Sequence, residues 1–315
     1  MPTEPGLASP RALGQNGLME STRPVLCIGS VLWDVIGRAA SHMERGADVP
    51  GRISRLPGGV AMNIAMALRR FGVPTELLSA IGSDAEGEEL IAAARLLELG
   101  CDHIYRSDDL PTDKYMAVEG ANGLIAAIAD AHSLEAAGAR ILAPLTDGRL
   151  ADADNPWTGM VALDGNLTVE MLAEAARGAL FARADLRVAP ASPGKAERLQ
   201  AFLGHGRATL YLNLEEASLL THTRHDDSET AARALCSAGL RRAVVTAGAA
   251  PACVADEDDV ITMSPPPVMV TRITGAGDVF MAAHMAAERG GARGREALQS
   301  ALAAAAEYVS SEKPL

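Results

Sequence analysis

Short apolar runs of strand length alternate with amphipathic segments of helical length along most of this chain. The runs that predict strands lie at 25–29, 77–81, 160–163, 186–189, 209–212 and 243–246. The segments that predict helices lie at 60–71, 87–99, 168–183, 195–203, 215–220, 227–237 and 279–287. Because parallel strands need crossover connections, this alternation predicts an α/β fold with a mainly parallel sheet and helices on both of its faces. Residues 31–36 are expected to continue the first strand.

Two internal segments interrupt the alternation. Residues 38–56 are polar and punctuated by glycine, and residues 112–129 alternate in polarity around Asn122-Gly123, which is a strong signal for a hairpin. We expect both segments to form a small β lid, although two surface loops would also fit. Residues 1–23 are expected to be a disordered leader, which leaves 24–37, 57–111 and 130–315 as the main domain.

Composition excludes several classes of protein. The net charge is −12, and the three lysines are Lys114, Lys195 and Lys313, so neither a nucleic-acid surface nor a lysine-lined phosphate cradle is expected. No apolar stretch approaches the length of ~18 residues needed to span a membrane. The four cysteines form no CxxC or metal-ligand pattern, which predicts free thiols and a cytoplasmic location.

The sharpest motif is Thr274-Gly-Ala-Gly-Asp278, which directly precedes an apolar helix. Backbone N–H groups converge at the N-terminus of a helix, and the helix dipole adds positive potential there, so such a turn can bind a phosphate. Asp278 in the first turn could accept a proton beside that anion. The same residues would also suit a helix cap and a tight turn with no ligand.

A second motif, Pro57-Gly-Gly-Val-Ala-Met-Asn63, opens the helix predicted for residues 60–71. Paired glycines allow a polar ligand to approach the backbone, and Asn63 offers donors and an acceptor. A tight strand-to-helix turn with Asn63 as a local cap explains the motif equally well. Neither motif is a Walker loop or a complete dinucleotide-binding fingerprint, which argues against a dinucleotide-dependent oxidoreductase.

Taken together, the two motifs resemble the signatures of the PfkB (ribokinase-like) family of carbohydrate and nucleoside kinases, in their order and in their spacing. The resemblance covers about residues 25–309. It implies a three-layer α/β/α sandwich with a β lid that closes over the substrate. It also implies transfer of the γ-phosphoryl group of ATP to a hydroxyl group, with Mg²⁺ as the cofactor.

The resemblance also implies roles for particular residues. Asp278 would be the catalytic base, and the amides of Gly275, Ala276 and Gly277 would stabilise the transferring phosphoryl group. The residues that would bind the sugar are Asp34, Gly58, Gly59 and Asn63. A carboxylate that accepts two vicinal hydroxyls also makes physical sense for Asp34, while a solvated aspartate at a strand end is the simpler reading.

On the nucleotide side, Asn213-Leu-Glu-Glu216 resembles the family's NxxE motif, in which Glu216 would hold magnesium through water. Asn213 and Glu216 also have capping-box spacing, and both roles can coexist. Thr246 and Gly248 lie in a turn that resembles the one contacting nucleotide in relatives. Arg272 departs from the family, because many relatives have an acidic residue there that is associated with a monovalent-cation site. The dependence on such a cation is therefore uncertain, and Arg272 could instead lie near phosphates or on a solvated rim.

Three stretches resemble the pseudouridine-kinase subgroup of the family. The first is 112–117 together with 125–130, and the other two are 163–167 and 190–196. The first stretch would place Lys114 and Tyr115 at the substrate. A nucleoside, pseudouridine first, is therefore the expected acceptor, and its 5′-hydroxyl the expected site. The alternatives are a ribokinase or other sugar kinase, and an inactive relative that only binds nucleosides. A homodimer formed through the lid strands is a further possibility that the resemblance raises.

Overall fold

The computed structural model describes residues 23–204 and 207–311. The expected leader therefore lies outside the described residues, apart from Arg23. The strands in chain order are β1 (Val25–Ile28), β2 (Leu32–Arg38), β3 (Arg52–Gly58), β4 (Thr75–Leu78), β5 (Ala80–Gly82), β6 (Tyr105–Ser107), β7 (Lys114–Gly120), β8 (Gly123–Asp130), β9 (Met160–Asp164), β10 (Asp185–Ala189), β11 (Ala208–Asn213), β12 (Arg242–Ala247), β13 (Ala250–Asp256) and β14 (Val260–Met263).

The α-helices in chain order are α1 (Val60–Arg70), α2 (Ala85–Leu96), α3 (His132–Ala137), α4 (Val169–Arg177), α5 (Leu214–Leu220), α6 (Ser228–Ser237), α7 (Ala276–Arg289) and α8 (Gly294–Ser310). Short 3₁₀ helices cover Gly138–Leu145, Ala179–Phe181 and Pro193–Phe202. No helix in the described ranges is long and apolar enough to cross a membrane.

The main sheet has eight strands in the order β14-β13-β12-β11-β10-β9-β1-β4. The strands from β12 to β4 are parallel, and β13 and β14 are added antiparallel at one edge. Helices cover both faces of the sheet, as the alternating residues of β1 show. Leu26 and Ile28 pack into one buried cluster with α3 to α6. Val25 and Cys27 point to the other face and pack into a second cluster with α1, α2, α7 and α8. The predicted three-layer α/β/α sandwich is confirmed.

A separate four-stranded sheet has the order β3-β2-β7-β8 and contains the expected hairpin, in which β7 pairs antiparallel with β8. Residues 31–36 do not continue β1. The chain leaves the main sheet before Leu32, and β2 pairs with β3 and β7 instead. The second sheet, called the lid sheet below, therefore takes in Leu32–Arg38, which the sequence analysis had placed almost entirely in the main domain.

Three predicted elements also differ in detail. The run at 77–81 is divided between β4 and β5 at Ser79, whose hydroxyl donates to the Gly29 carbonyl at 2.6 Å. The helix predicted for 168–183 ends as an α-helix at Arg177 and is followed by a 3₁₀ turn. The segment predicted as a helix at 195–203 is a 3₁₀ helix over Pro193–Phe202. Apolar periodicity does not distinguish these tighter turns from an α-helix.

Candidate active site

The turn before α7 presents free backbone donors where the helix begins. Gly275 has a φ of +85° and forms the N-cap without any side-chain cap. The N–H of Ala276 donates to the Ile273 carbonyl at 3.1 Å, so the expectation that this amide faces a ligand is not supported. Within the described part of the chain, the N–H groups of Gly275, Gly277 and Asp278 have no acceptor. These three donors and the helix dipole make a site for an anion.

The Asp278 carboxylate lies in the first turn of α7, beside these donors. Its Oδ2 atom accepts a hydrogen bond from Asn63 Nδ2 at 2.9 Å. The pKa of Asp278 is raised to about 7, mainly by burial; the bond from Asn63 opposes this rise, and the negative charges of Asp164, Asp34 and Glu216 add to it. A carboxyl group with a pKa near neutrality can accept a proton and later release it at physiological pH.

Asp34 lies in β2 of the lid sheet, and its carboxylate rests against the backbone of Gly58. A Cβ atom on Gly58 would lie 2.1 Å from Asp34 Oδ2, so a larger residue there would displace the carboxylate. Burial raises the pKa of Asp34 to about 6. Tyr115 is the register partner of Asp34 on β7, and burial together with the charge of Asp34 raises the pKa of its hydroxyl. The structure thus brings Asp34, Gly58 and Tyr115 together.

Helix α1, which carries Asn63, is capped from a distance. Gly59 at its N-cap has no side chain, and the first two N–H groups of the helix are bound by Ser30, which follows β1, and by Asp164 at the end of β9. Val60 N donates to Ser30 Oγ at 2.8 Å, and Ala61 N donates to Asp164 Oδ2 at 3.1 Å. Asp164 is fully buried and also accepts from the N–H and the hydroxyl of Ser30, each at 2.8 Å. These bonds fix the start of α1 against the ends of β1 and β9.

Sequence reasoning missed the roles of Ser30 and Asp164 because the groups that they cap are distant in the chain. Val60 lies 30 residues after Ser30, and Ala61 lies 103 residues before Asp164. A signal for Asp164 existed, since an ionisable residue directly after a buried strand must find partners. The same network reaches Lys195, whose ammonium group donates to Asn166 Oδ1, while Asn166 Nδ2 donates to Ser30 Oγ at 2.9 Å. Burial lowers the pKa of Lys195.

Lys114 occupies a different place from the one expected. Its ammonium group forms a 2.6 Å ion pair with Glu86 Oε2 at the start of α2. Trp33, its register partner, donates from Nε1 to the Glu86 carbonyl at 2.9 Å, so the Trp33–Lys114 end of this face of the lid sheet packs on α2. Successive strand residues alternate between faces, and Asp34 and Tyr115 therefore lie on the other face. A substrate-binding role for Lys114 is not supported by this placement.

The expected nucleotide residues lie at the same end of the main sheet. Asn213 caps α5 and forms a reciprocal capping box with Glu216, both hydrogen bonds being 2.8 Å. Thr246 is the register partner of Asn213 on β12, and Gly248 follows in the turn to β13. Burial raises the pKa of Glu216, and its charge in turn affects Asp278. The ends of parallel strands form one edge, which explains how these distant residues meet.

Comparison with known proteins identifies the family of this chain. Residues 22–314 match the family described as pfkB family carbohydrate kinase. The sugar kinase YeiI of Escherichia coli is 30% identical over 242 residues, which span 75% of this chain and 64% of YeiI. The pseudouridine kinase of E. coli is 28% identical, with 82% of this chain and 81% of that protein aligned.

Solved structures show the same fold. A carbohydrate kinase from Agrobacterium tumefaciens superposes with a TM-score of 0.76 at 29% identity, covering 92% of each chain. The Arabidopsis thaliana ribokinase complexed with ribose and ATP superposes with a TM-score of 0.72 at 20% identity, covering 92% of this chain and 93% of the ribokinase. The family match spans nearly the whole described fold, and the chain therefore belongs to the pfkB family of carbohydrate kinases.

Proposed function

We propose that this kinase transfers the γ-phosphoryl group of ATP to the 5′-hydroxyl of a nucleoside, and that pseudouridine is its preferred acceptor. The observation that carries the chemistry is the Asp278 carboxylate, with a pKa near 7, beside the free N–H groups at the start of α7. The preference for pseudouridine rests on the alignment with the E. coli pseudouridine kinase over most of both chains.

In this proposal, Asp34 accepts hydrogen bonds from the sugar hydroxyls and so orients the acceptor. Asp278 then takes the proton of the 5′-hydroxyl as the oxygen attacks the γ-phosphorus, and the bond from that phosphorus to the bridging β–γ oxygen breaks. The products are the nucleoside 5′-phosphate and ADP. The N–H groups of Gly275, Gly277 and Asp278 stabilise the negative charge on the transferring group, which is the main task in phosphoryl transfer.

The residues also fit a magnesium ion carried by the nucleotide. Mg²⁺ usually keeps several water ligands and is bound through one or two carboxylates together with phosphates. The described residues contain no cluster of three or more ligating side chains, so a protein cage is not what this arrangement provides. Glu216 uses Oε2 in the capping box, and its second carboxylate oxygen would hold the ion through water. When bound, the ion would neutralise charge on the phosphates.

Two alternatives share parts of this site. A ribokinase or another sugar kinase would use the same base and the same anion site, so only the acceptor distinguishes it. An inactive nucleoside-binding relative would bind nucleotide without turnover, but the presence of the expected base, Asp278, argues against it. A coupled assay of ATP consumption with pseudouridine, uridine, cytidine, adenosine, ribose and fructose 6-phosphate separates the three. Lack of turnover with all six would overturn the proposal.

Asp278→Asn tests the mechanism. The substitution keeps the shape of the side chain but removes the base, which typically supplies about 100-fold or more. We expect kcat to fall by at least ~100-fold while the Kd for ADP, measured by calorimetry, changes little. Near-normal turnover would exclude Asp278 as the base.

We further propose a cytoplasmic homodimer. All four cysteines are unpaired, as in most proteins of reducing compartments, which supports the cytoplasmic location.

The support for a dimer lies in the lid sheet. Met116 and Ile128 are neighbours in register on one face and are 50% and 68% exposed, and Ile53 on the same face is 81% exposed. Sedimentation of the protein, with Ile128→Lys as the variant, tests this interface. A monomeric wild-type protein at micromolar concentration would contradict it.

A further inference from the structure

The segment just before the anion site is bound along its length to the end of helix α8. Thr271 N donates to the Val309 carbonyl at 2.8 Å, and Arg272 N donates to the same carbonyl at 3.3 Å. The Thr271 hydroxyl donates to the carbonyls of Val309 and Ser311, at 3.0 and 3.2 Å. Carbonyls at a helix C-terminus have no partners within the helix, so this segment caps α8.

Arg272 adds charge to this contact. Its Nε donates to the Ser311 carbonyl at 2.8 Å, and its guanidinium carbon lies 4.9 Å from the centre of the Tyr308 ring. The last turn of α8 contains no basic residue of its own. Arg272 therefore supplies the cation that the negative end of the helix dipole favours, and it gains a cation–π contact at the same time. It is half-buried on α8, not on a solvated rim.

Tyr308 connects this contact to the anion site. Its hydroxyl donates to the Thr274 carbonyl at 3.0 Å. The same oxygen lies 2.7 Å from the position that a Cβ atom on Gly275 would occupy, so the hydroxyl packs directly against that glycine. Gly275 needs this support, because glycine has wide conformational freedom and adopts a positive φ here. The ring of Tyr308 is in turn covered by Arg272.

We propose that Arg272 and Tyr308 are positioning residues that hold the Gly275–Asp278 turn in its anion-binding conformation. Neither residue touches the phosphoryl group. Together they join the C-terminus of α8 to the N-terminus of α7, so that the free N–H groups are aligned before the nucleotide arrives. The consequence for turnover rests on the proposed kinase function, whereas the effect on the turn itself does not.

A matched control exists elsewhere in the chain. Arg140 also lies 4.9 Å from the centre of a tyrosine ring, that of Tyr105. Like Arg272, it donates to carbonyls at the end of a helix, here those of Ala136 and Ala137 of α3. Arg140→Ala thus removes the same kind of contact without touching the anion site.

The test compares Arg272→Ala, Arg272→Lys, Tyr308→Phe and Arg140→Ala with the wild type, by hydrogen exchange and steady-state kinetics. In peptides covering 274–279 the hydrogen-bonded amides are those of Ala276 and Val279. We expect these two amides to exchange about tenfold faster in Arg272→Ala, with smaller increases in Arg272→Lys and Tyr308→Phe and none in Arg140→Ala. With the preferred acceptor, kcat should fall about tenfold in Arg272→Ala while the acceptor KM stays within twofold.

Equal exchange of 274–279 in Arg272→Ala and Arg140→Ala would overturn the proposal, whatever reaction the protein catalyses. A fall in kcat of the same size in both variants would also overturn it, because the effect would then be general destabilisation. If the wild type turned over none of the acceptors, the kinase proposal would fail, and the exchange measurement would still decide the role of Arg272. If Arg272→Ala does not fold, Tyr308→Phe tests the proposal in its place, because it keeps the ring and removes only the hydrogen bond to the Thr274 carbonyl.

Discussion

Replacing Asn63 by alanine should move the pH dependence of turnover in a defined direction. Asn63 donates its only described side-chain hydrogen bond to Asp278 Oδ2, and this bond lowers the pKa of the carboxyl group. A general base acts only when it is deprotonated. The rate of the wild type should therefore be low in acid, rise through about pH 7 and level off above it.

The size of the change follows from the hydrogen bond. A bond to a charged group contributes about 1.5–3 kcal/mol, and about 1.4 kcal/mol corresponds to one pH unit. Water that enters the space left by the amide will replace part of the bond, so the midpoint should rise by about one unit. At pH 7 the deprotonated fraction then drops from about a half to about a tenth, a roughly fivefold loss that disappears at high pH.

The assay is kcat/KM for the acceptor between pH 5 and pH 9.5, measured at saturating nucleotide. Glu216→Gln provides a control of opposite sign, because the charge of Glu216 raises the pKa of Asp278 and glutamine can keep the capping box. Its midpoint should move downward. The ionisation of the nucleotide is common to all variants and cancels in the comparison. If the midpoint moved in neither variant, the titrating group would not be Asp278.

Three further substitutions test the framework of the site. Gly58→Ala would place a Cβ atom 2.1 Å from Asp34 Oδ2 and displace that carboxylate, so the KM for the acceptor should rise about tenfold in steady-state kinetics. Asp164→Ala leaves several buried donors unpaired, and urea denaturation should show a loss of roughly 2–5 kcal/mol in the free energy of unfolding. Glu288→Gln removes the carboxylate that pairs with both Arg187 and Arg242, while Arg187 keeps its ion pair with Asp185, so it should cost roughly 1.5–3 kcal/mol at pH 7. The Arg187 and Arg242 charges hold the pKa of Glu288 at about 2, below its ordinary 4.5, so this difference should shrink as the pH falls from 4.5 towards 2.

For each of these three substitutions, one result would contradict the expected effect. An unchanged acceptor KM in Gly58→Ala would show that Asp34 does not hold the acceptor. Full stability of Asp164→Ala would mean that the start of α1 does not depend on its remote caps. A difference between wild type and Glu288→Gln that stayed constant from pH 7 to pH 2 would show that the charge of Glu288 is not what stabilises the fold.

Local chemistry explains why much of the fold was predictable. Helix α1 begins and ends within a residue of its predicted bounds, because Gly59 and Gly72 mark both ends. The hairpin of β7 and β8 forms around the Asn-Gly pair that predicted it. By contrast, Leu32–Arg38 has the apolar pattern of any strand, and nothing in that pattern states which sheet it joins. Pairing between distant strands decides that question.

The candidate site was also predictable only in part from the sequence. The residue types at Asp278, Asn63, Asp34 and the Asn213–Glu216 pair were identified from motifs, because each motif is local in the chain. The sequence alone also determined the α/β class, since the alternation of strand and helix periods leaves few other ways to bury the apolar residues. Its net charge of −12 predicts that the protein has no broad nucleic-acid surface, and this stays a prediction.

Only the tertiary structure decided which groups act on one another. It brings Asn63 within 2.9 Å of Asp278 across 215 residues of chain, and it gives that carboxyl group a pKa near 7. It pairs Lys114 with Glu86, away from Asp34, and it places Tyr308 under Gly275. The physical reason is that burial, electrostatic interaction and packing depend on distance in space. Residues far apart in sequence set these properties, and no local pattern records them.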